Sequence, residues 1–259
     1  MDEQASQFAR GRVAIVTGAS SGFGYSTVKR LVAAGAKCIA TARRSERLEA
    51  LISECGPGSV IPAAVDVTHP AAAEAILAAR PQSWPLPDIL INNAGLALGA
   101  GPAQKSNLDD WLQMIDTNIS GLVRLTHAVL PEFEKLDRAD IVNLSSVAAS
   151  YPYPGGNVYA ATKAFVRQFS LGLRADLLGS NVRVTSIEPG MCETEFSIVR
   201  FAGDKEKADS LYRDMSPITA DDIANVIASI LALPPHVNVN TIELMPTRQA
   251  FSAFAVSRT

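Results

Sequence analysis

VAIVTGASSGFGYSTVKRLVAAG, residues 13–35, reads as a strand, a glycine-rich turn and a helix. Val13 to Thr17 is a short apolar run closed by Gly18, and beyond the turn Val28, Leu31 and Val32 recur at helical spacing. Gly18, Gly22 and Gly24 stand as T-G-x-x-x-G-x-G. Glycine lets a backbone turn tightly and approach an anion, whose charge then meets the positive N-terminal end of the helix. The segment therefore predicts a pyrophosphate cradle, and Gly35 ends its helix.

Outward from this unit the alternation continues. KCIATA (37–42) reads as a second strand, where an acid would hold a ribose 2′-hydroxyl; Ala42 is followed instead by Arg43 and Arg44, which suit a 2′-phosphate. For one of the two arginines a solvated turn position is the competing reading. A helix over 45–55, a strand over 59–67 that contains Asp66, and an alanine-rich helix from His69-Pro70 to near Pro81 come next. Asp66 is placed to accept from an adenine amino group. A fourth strand (89–91) runs into Asn92-Asn93-Ala94-Gly95, and Asn107 caps a long helix to about Leu136 that turns Trp111, Met114, Ile115, Ile119, Leu122, Val123 and Leu125 to the core. Inside it Asn118 is polar among apolar neighbours, by itself a structural amide.

A fifth strand carries Ile141, Val142 and Leu144, a helix runs from Val158 to about Leu178, and a sixth strand (181–187) ends in Glu188-Pro189-Gly190. Residues 191–216 interrupt the alternation and form a candidate lid. A helix over 220–233 and a strand near 241–244 complete a single-domain, doubly wound α/β fold of about seven parallel strands with helices on both faces. Apolar Phe251, Phe254 and Val256 in the tail (246–259) predict a subunit contact.

With 259 residues, 47% of them hydrophobic, the chain buries one large core. A net charge of −3 with dispersed Lys and Arg gives no footprint for nucleic acid, and no apolar run reaches membrane-spanning length. Cys38, Cys55 and Cys192 are widely spaced, as are His69, His127 and His236, so neither a disulfide framework nor a metal site is expected. The polar amino terminus adds to the expectation of a soluble cytoplasmic protein.

The chemistry lies in NLSSVAASYPYPGGNVYAATK (143–163). Tyr159 and Lys163 are one helical turn apart on one face, and Ser146 stands at the end of a strand, where sheet proteins place chemistry. Phenol and ammonium form an acid/base pair: a neighbouring Lys⁺ favours the phenolate, and a shift of about three units needs roughly 4 kcal/mol. Ser146 is placed to polarise the carbonyl oxygen that Tyr159 protonates.

TGASSGFG, NNAG, the Asn118 helix, Ser146, YAATK and PG, in this order, make the chain resemble the short-chain dehydrogenase/reductase family from about Arg12 to Met245. The resemblance implies a phosphate loop of Gly18, Ser20, Ser21, Gly22, Phe23 and Gly24, and adenine contacts from Asp66 and Val67. It implies a cofactor wall of Asn92, Ala94 and Gly95, with Pro189 and Gly190 beside the cofactor and Thr194 at the nicotinamide amide. Catalysis falls to Asn118, Ser146, Tyr159 and Lys163, with Asn118 recast as holder of a proton relay and Lys163 as a ribose ligand. GLALG, GGNVYAATKAFVRQFSLGLR and IEPGMCETEFSIVRF are similar to a branch of NADP-dependent 3-hydroxy acid dehydrogenases. That branch implies NADP(H), the substrates serine, L-allo-threonine, 3-hydroxyisobutyrate or malonic semialdehyde, and a homotetramer built through the two long helices. Other uses of the same machinery are a broad carbonyl or sulfonated-aldehyde reductase and an idle NADP(H)-binding regulator. A small acid needs a cation, and Arg200, emerging from FSIV, is the candidate; pairing with Glu195 is its alternative.

Overall fold

In the computed structural model, which describes residues 7–251 and 256–258, seven parallel strands form one sheet in the order β3-β2-β1-β4-β5-β6-β7. They are β1 (Val13–Thr17), β2 (Lys37–Ala42), β3 (Val60–Ala64), β4 (Ile89–Asn92), β5 (Ala139–Leu144), β6 (Val182–Pro189) and β7 (Thr241–Leu244). Between them run α1 (Gly22–Ala33), α2 (Ser45–Cys55), α3 (Ala72–Ala78), α4 (Leu108–Ile115), α5 (Leu122–Phe133), α6 (Asn157–Asp176), α7 (Glu195–Arg200), α8 (Lys205–Ser210) and α9 (Ala220–Ala232). Successive strand side chains point to opposite faces. Ala14 and Val16 accordingly pack with Val28, Leu31, Leu48, Ile223 and Ile227, while Val13 and Ile15 pack with Ile76, Leu125, Val129, Phe133 and Leu173. Both faces of β1 are apolar, so both are covered.

Three expectations are corrected. The single helix from Asn107 to about Leu136 is α4 and α5 joined by a π turn, Asp116–Gly121, capped at its start by Asn107, whose side chain accepts from Asp109 N. The π turn surrounds Asn118, whose amide makes three tertiary hydrogen bonds, described below, that reward the altered winding. Ile115, expected in the core, is exposed with Leu108 and Leu112, so α4 carries a second apolar stripe that no described residue covers. The third strand is also shorter than expected: β3 ends at Ala64 because Asp66 Oδ1 accepts from Thr68 N and Thr68 Oγ1 and turns the chain. In the tail, Phe251 is exposed and packs near Tyr151, with ring centroids 6.2 Å apart; Phe254 lies outside the described residues.

The N-terminal ends of four strands are tied by buried charge. Arg12, just before β1, bonds Asp88 Oδ2 at 2.6 Å and Asp140 Oδ2 at 2.7 Å. Arg183 bonds Asp140 Oδ1 at 2.6 Å and donates onward to Leu231 O and Val237 O. Burial pushes the Asp88 carboxyl up, and Arg12 opposes it. Removing one member strands the others, a loss of about 3–5 kcal/mol for a buried ion pair. Asp140→Ala should therefore lower the urea unfolding free energy by that order, whereas loss of the half-exposed Lys29–Glu54 pair should change it little.

Candidate active site

The strand order reverses between β1 and β4, and the cleft opens at the C-terminal ends there, where doubly wound sheets bind ligands. Gly18 and Gly22 have φ of +67° and +53°. A Cβ on Gly24 would overlap Gly18 O and stand 2.6 Å from Asn93 Nδ2, so the loop closes only with glycine. Asn93 Nδ2 locks it by donating to Thr17 O at 2.8 Å and Gly18 O at 3.2 Å. The resulting cavity, about 330 Å³, is lined by Gly18, Ser20, Ser21, Gly22 and Phe23 of the loop and by Arg43, Arg44, Asp66 and Val67. Ala94, Gly95, Pro189, Gly190, Thr194 and Arg200 line it too. A glycine cradle at the start of α1 with arginines at the end of β2 fits a dinucleotide bearing an extra phosphate.

Asn92 is placed differently from the other wall residues. It is buried behind the cleft, donating to Thr126 Oγ1 at 2.9 Å and Asn143 Oδ1 at 2.8 Å, and Asn93 takes its place in the lining. The NN pair made the two indistinguishable by sequence; only the pleat separates them.

Ser146, Tyr159 and Lys163 come together at the floor. Ser146 follows β5, and its hydroxyl donates to Pro189 O at 3.4 Å and accepts from Ala148 N at 3.1 Å, in the cavity that Tyr159 also lines. One turn of α6 separates Tyr159 from Lys163, whose Nζ is 5.9 Å from the Tyr159 ring centroid and donates to Leu144 O at 2.7 Å. Asn118 Oδ1 accepts from Leu96 N, and its Nδ2 donates to Leu96 O and Thr162 Oγ1. The Thr162 hydroxyl donates in turn to Tyr159 O, so the π turn and the Tyr159 helix are stitched together through this amide.

Arg200 is not held by Glu195, whose oxygens go to Arg44 and Arg47. Its guanidinium lies 5.1 Å from the Tyr153 ring centroid, and its buried Nε has no hydrogen-bond partner among the described residues. Tyr153, Phe196 and Arg47 were not singled out in the sequence. Nothing in YPYPGG sets Tyr153 apart, and Phe196 stands in an apolar run, yet its ring sits 5.6 Å from that of Tyr159.

The electrostatics differ from the expectation that Lys163 lowers the phenol. Burial dominates: it pushes Tyr159 well above the usual tyrosine range, with Ser146 opposing it, and pulls Lys163 down to about 8. The phenol is therefore held protonated at neutral pH. Oxidation of an alcohol, which needs the phenolate as base, should accelerate as pH rises above neutral and level off once Lys163, which supports that phenolate, loses its proton near pH 8. Carbonyl reduction, which needs the phenol as acid, should stay level there and fall only once Lys163 loses its proton near pH 8. Profiles of kcat/KM in both directions measure this, and Tyr159→Phe should cost at least ~10²-fold and remove the pH dependence of oxidation.

Comparison with known proteins agrees with the site. The sequence profile of the family described as short chain dehydrogenase matches residues 12–204. Serine 3-dehydrogenase of Agrobacterium fabrum (strain C58 / ATCC 33970) is 56% identical over 244 residues, 94% of this chain and 97% of that protein. Sulfoacetaldehyde reductase 2 of Chromohalobacter salexigens is 51% identical over 248 residues, 95% of this chain and 98% of that one. A solved structure described as the closed form of serine dehydrogenase complexed with NADP+ superposes with a TM-score of 0.90 at 50% identity, covering 95% of this chain and 100% of the other. A glycine cradle at the switch point, a Ser-Tyr-Lys floor beneath it and a profile match over three quarters of the sequence lead to one conclusion: the chain belongs to the short-chain dehydrogenase/reductase family.

Proposed function

We propose that the protein is an NADP(H)-dependent dehydrogenase of small 3-hydroxy acids, serine and its analogues, working in reverse as a semialdehyde reductase. The observation that carries the reading is the meeting of the Ser146-Tyr159-Lys163 floor with Arg200, a cation with an unpaired buried donor, in one cavity. Such a donor suits a carboxylate held away from the reacting carbon. Arg43 and Arg44 line the same cavity where an NAD binder would carry an acid, and the 50% identical neighbour was solved with NADP+.

NADP(H), once bound, supplies or accepts the hydride at the carbon bearing the oxygen. In reduction, Tyr159 gives its proton to the carbonyl oxygen while Ser146 donates to the same atom. Lys163 stabilises the phenolate that remains and binds the nicotinamide ribose. Oxidation uses the same groups in reverse. Asn118 holds the relay at the π turn, and residues 191–216, with α7 and α8, act as a lid that excludes water. Leu108, Leu112 and Ile115 on α4 and Phe165 on α6 are exposed apolar residues on the two helices through which a homotetramer is expected to form. Free Cys38, Cys55 and Cys192 fit the reducing cytoplasm.

A sulfonated aldehyde is the second reading, favoured by the sulfoacetaldehyde reductase relative, because a sulfonate would use the same arginine. Steady-state assays with NADP⁺ and NAD⁺ against serine, 3-hydroxyisobutyrate, malonic semialdehyde and sulfoacetaldehyde decide between them. NADP⁺ with the 3-hydroxy acids should give the highest kcat/KM, and absence of turnover with every pair would leave only a cofactor-binding regulator. Arg200→Met should cut kcat/KM for the acids by about 10-fold or more, the scale of a lost charge-assisted hydrogen bond, while sparing an uncharged ketone. Parallel loss of both activities would place the acid's anchor elsewhere.

A further inference from the structure

Glu195 is the first residue of α7, directly after Thr194. Both of its carboxylate oxygens are taken by arginines from across the cleft: Oε1 by Arg47 Nη1 at 2.5 Å and Oε2 by Arg44 Nη1 at 3.4 Å. Arg44 Nη2 also donates to the hydroxyls of Ser20 and Ser21, at 3.1 and 3.3 Å, in the phosphate loop. The guanidinium expected to meet a 2′-phosphate is thus already holding an anion of the protein, along with the serines that a pyrophosphate would approach. It must change partners when a dinucleotide binds.

We propose that Glu195 is a built-in competitor for the cofactor 2′-phosphate, the two anions exchanging at Arg44 and Arg47. The proposal rests on the NADP(H) reading above and adds to it a third arginine, Arg47, and a releasing step. All three side chains are nearly half exposed, so each ion pair is weak and screened, and exchange costs little. A phosphate monoester carries about −1.5 to −2 charges and more acceptor oxygens than a carboxylate, so it prevails at a paired-arginine site. A cofactor without that phosphate leaves the clasp closed. Discrimination between the two cofactors is then partly a matter of which one frees α7, and α7 also carries Phe196 against Tyr159 and Arg200 over Tyr153. The phosphate end of the cofactor is thereby coupled to the substrate end of the pocket through one short helix.

The test is calorimetric titration of the whole protein, wild type and Glu195→Gln, with 2′,5′-ADP and with 5′-ADP, which need no turnover. The wild type should bind 2′,5′-ADP more tightly than 5′-ADP. Glu195→Gln removes the competing charge with little change of shape, and should tighten 2′,5′-ADP by about three- to tenfold while moving 5′-ADP less than about twofold. Unchanged or weaker 2′,5′-ADP binding in the variant would overturn the competitor and leave the NADP(H) reading standing. Equal tightening of both nucleotides would also overturn it, by making Glu195 a general repulsive charge at the cleft. Absence of any wild-type preference for 2′,5′-ADP would remove the NADP(H) reading, and the competitor with it.

Discussion

Asp140 sets the geometry on which the cleft depends. Its two oxygens hold Arg12 and Arg183, and Arg12 also reaches the partly buried Asp88, so the starts of β1, β4, β5 and β6 are joined by charges largely withdrawn from water. In a parallel sheet, aligned starts mean aligned ends. At the opposite edge, Thr17, Asn92, Leu144 and Pro189 terminate these strands side by side, and the functional loops leave from there. A buried network of this kind adds little net stability over an apolar one, but it opposes a slip of register because a slip would leave a charge unpaired.

At the cleft edge, burial governs the chemistry more than pairing does. Lys163 is surrounded by protein with Leu144 O as its hydrogen-bond partner, and its ammonium is held less firmly than a free lysine's. The same burial shifts Tyr159 the other way, upward, against the pull of Ser146. In the free protein the pair is thus set as a proton donor with a strained cation behind it. Further acceptors around Lys163, such as ribose hydroxyls, would strengthen the charge and with it the phenolate. Asn118 contributes rigidity: three hydrogen bonds hold the π turn against Leu96 and α6, so the floor cannot shear relative to the glycine wall.

Residues 191–216 have the opposite character. The segment after β6 is held by half-exposed ion pairs, an aromatic contact and a cation over a ring, each weak enough to exchange. Rigid floor and exchangeable roof suit an enzyme that must admit two ligands and then exclude water. Arg200, with its buried Nε, and Glu195, held by Arg44 and Arg47, lie on the same short helix, five residues apart.

The sequence by itself determined what local rules govern. β1, β2 and β7 and the helix over 45–55 have their expected limits, because apolar periodicity, glycine stops and the strand-turn-helix punctuation are properties of neighbours along the chain. That Ser146, Tyr159 and Lys163 would meet in one cavity was legible for the same reason: a helical turn and a strand end are short-range geometry. Tertiary structure decided what depends on distant partners. It chose Asn93 over Asn92 for the wall, wound the residues around Asn118 into a π turn, and turned Ile115 outward. It also gave Glu195 to Arg44 and Arg47 instead of Arg200. Each of these outcomes depends on a hydrogen bond, ion pair or buried surface between residues far apart in the chain, and such pairings become determinate only when the sheet brings the two ends together.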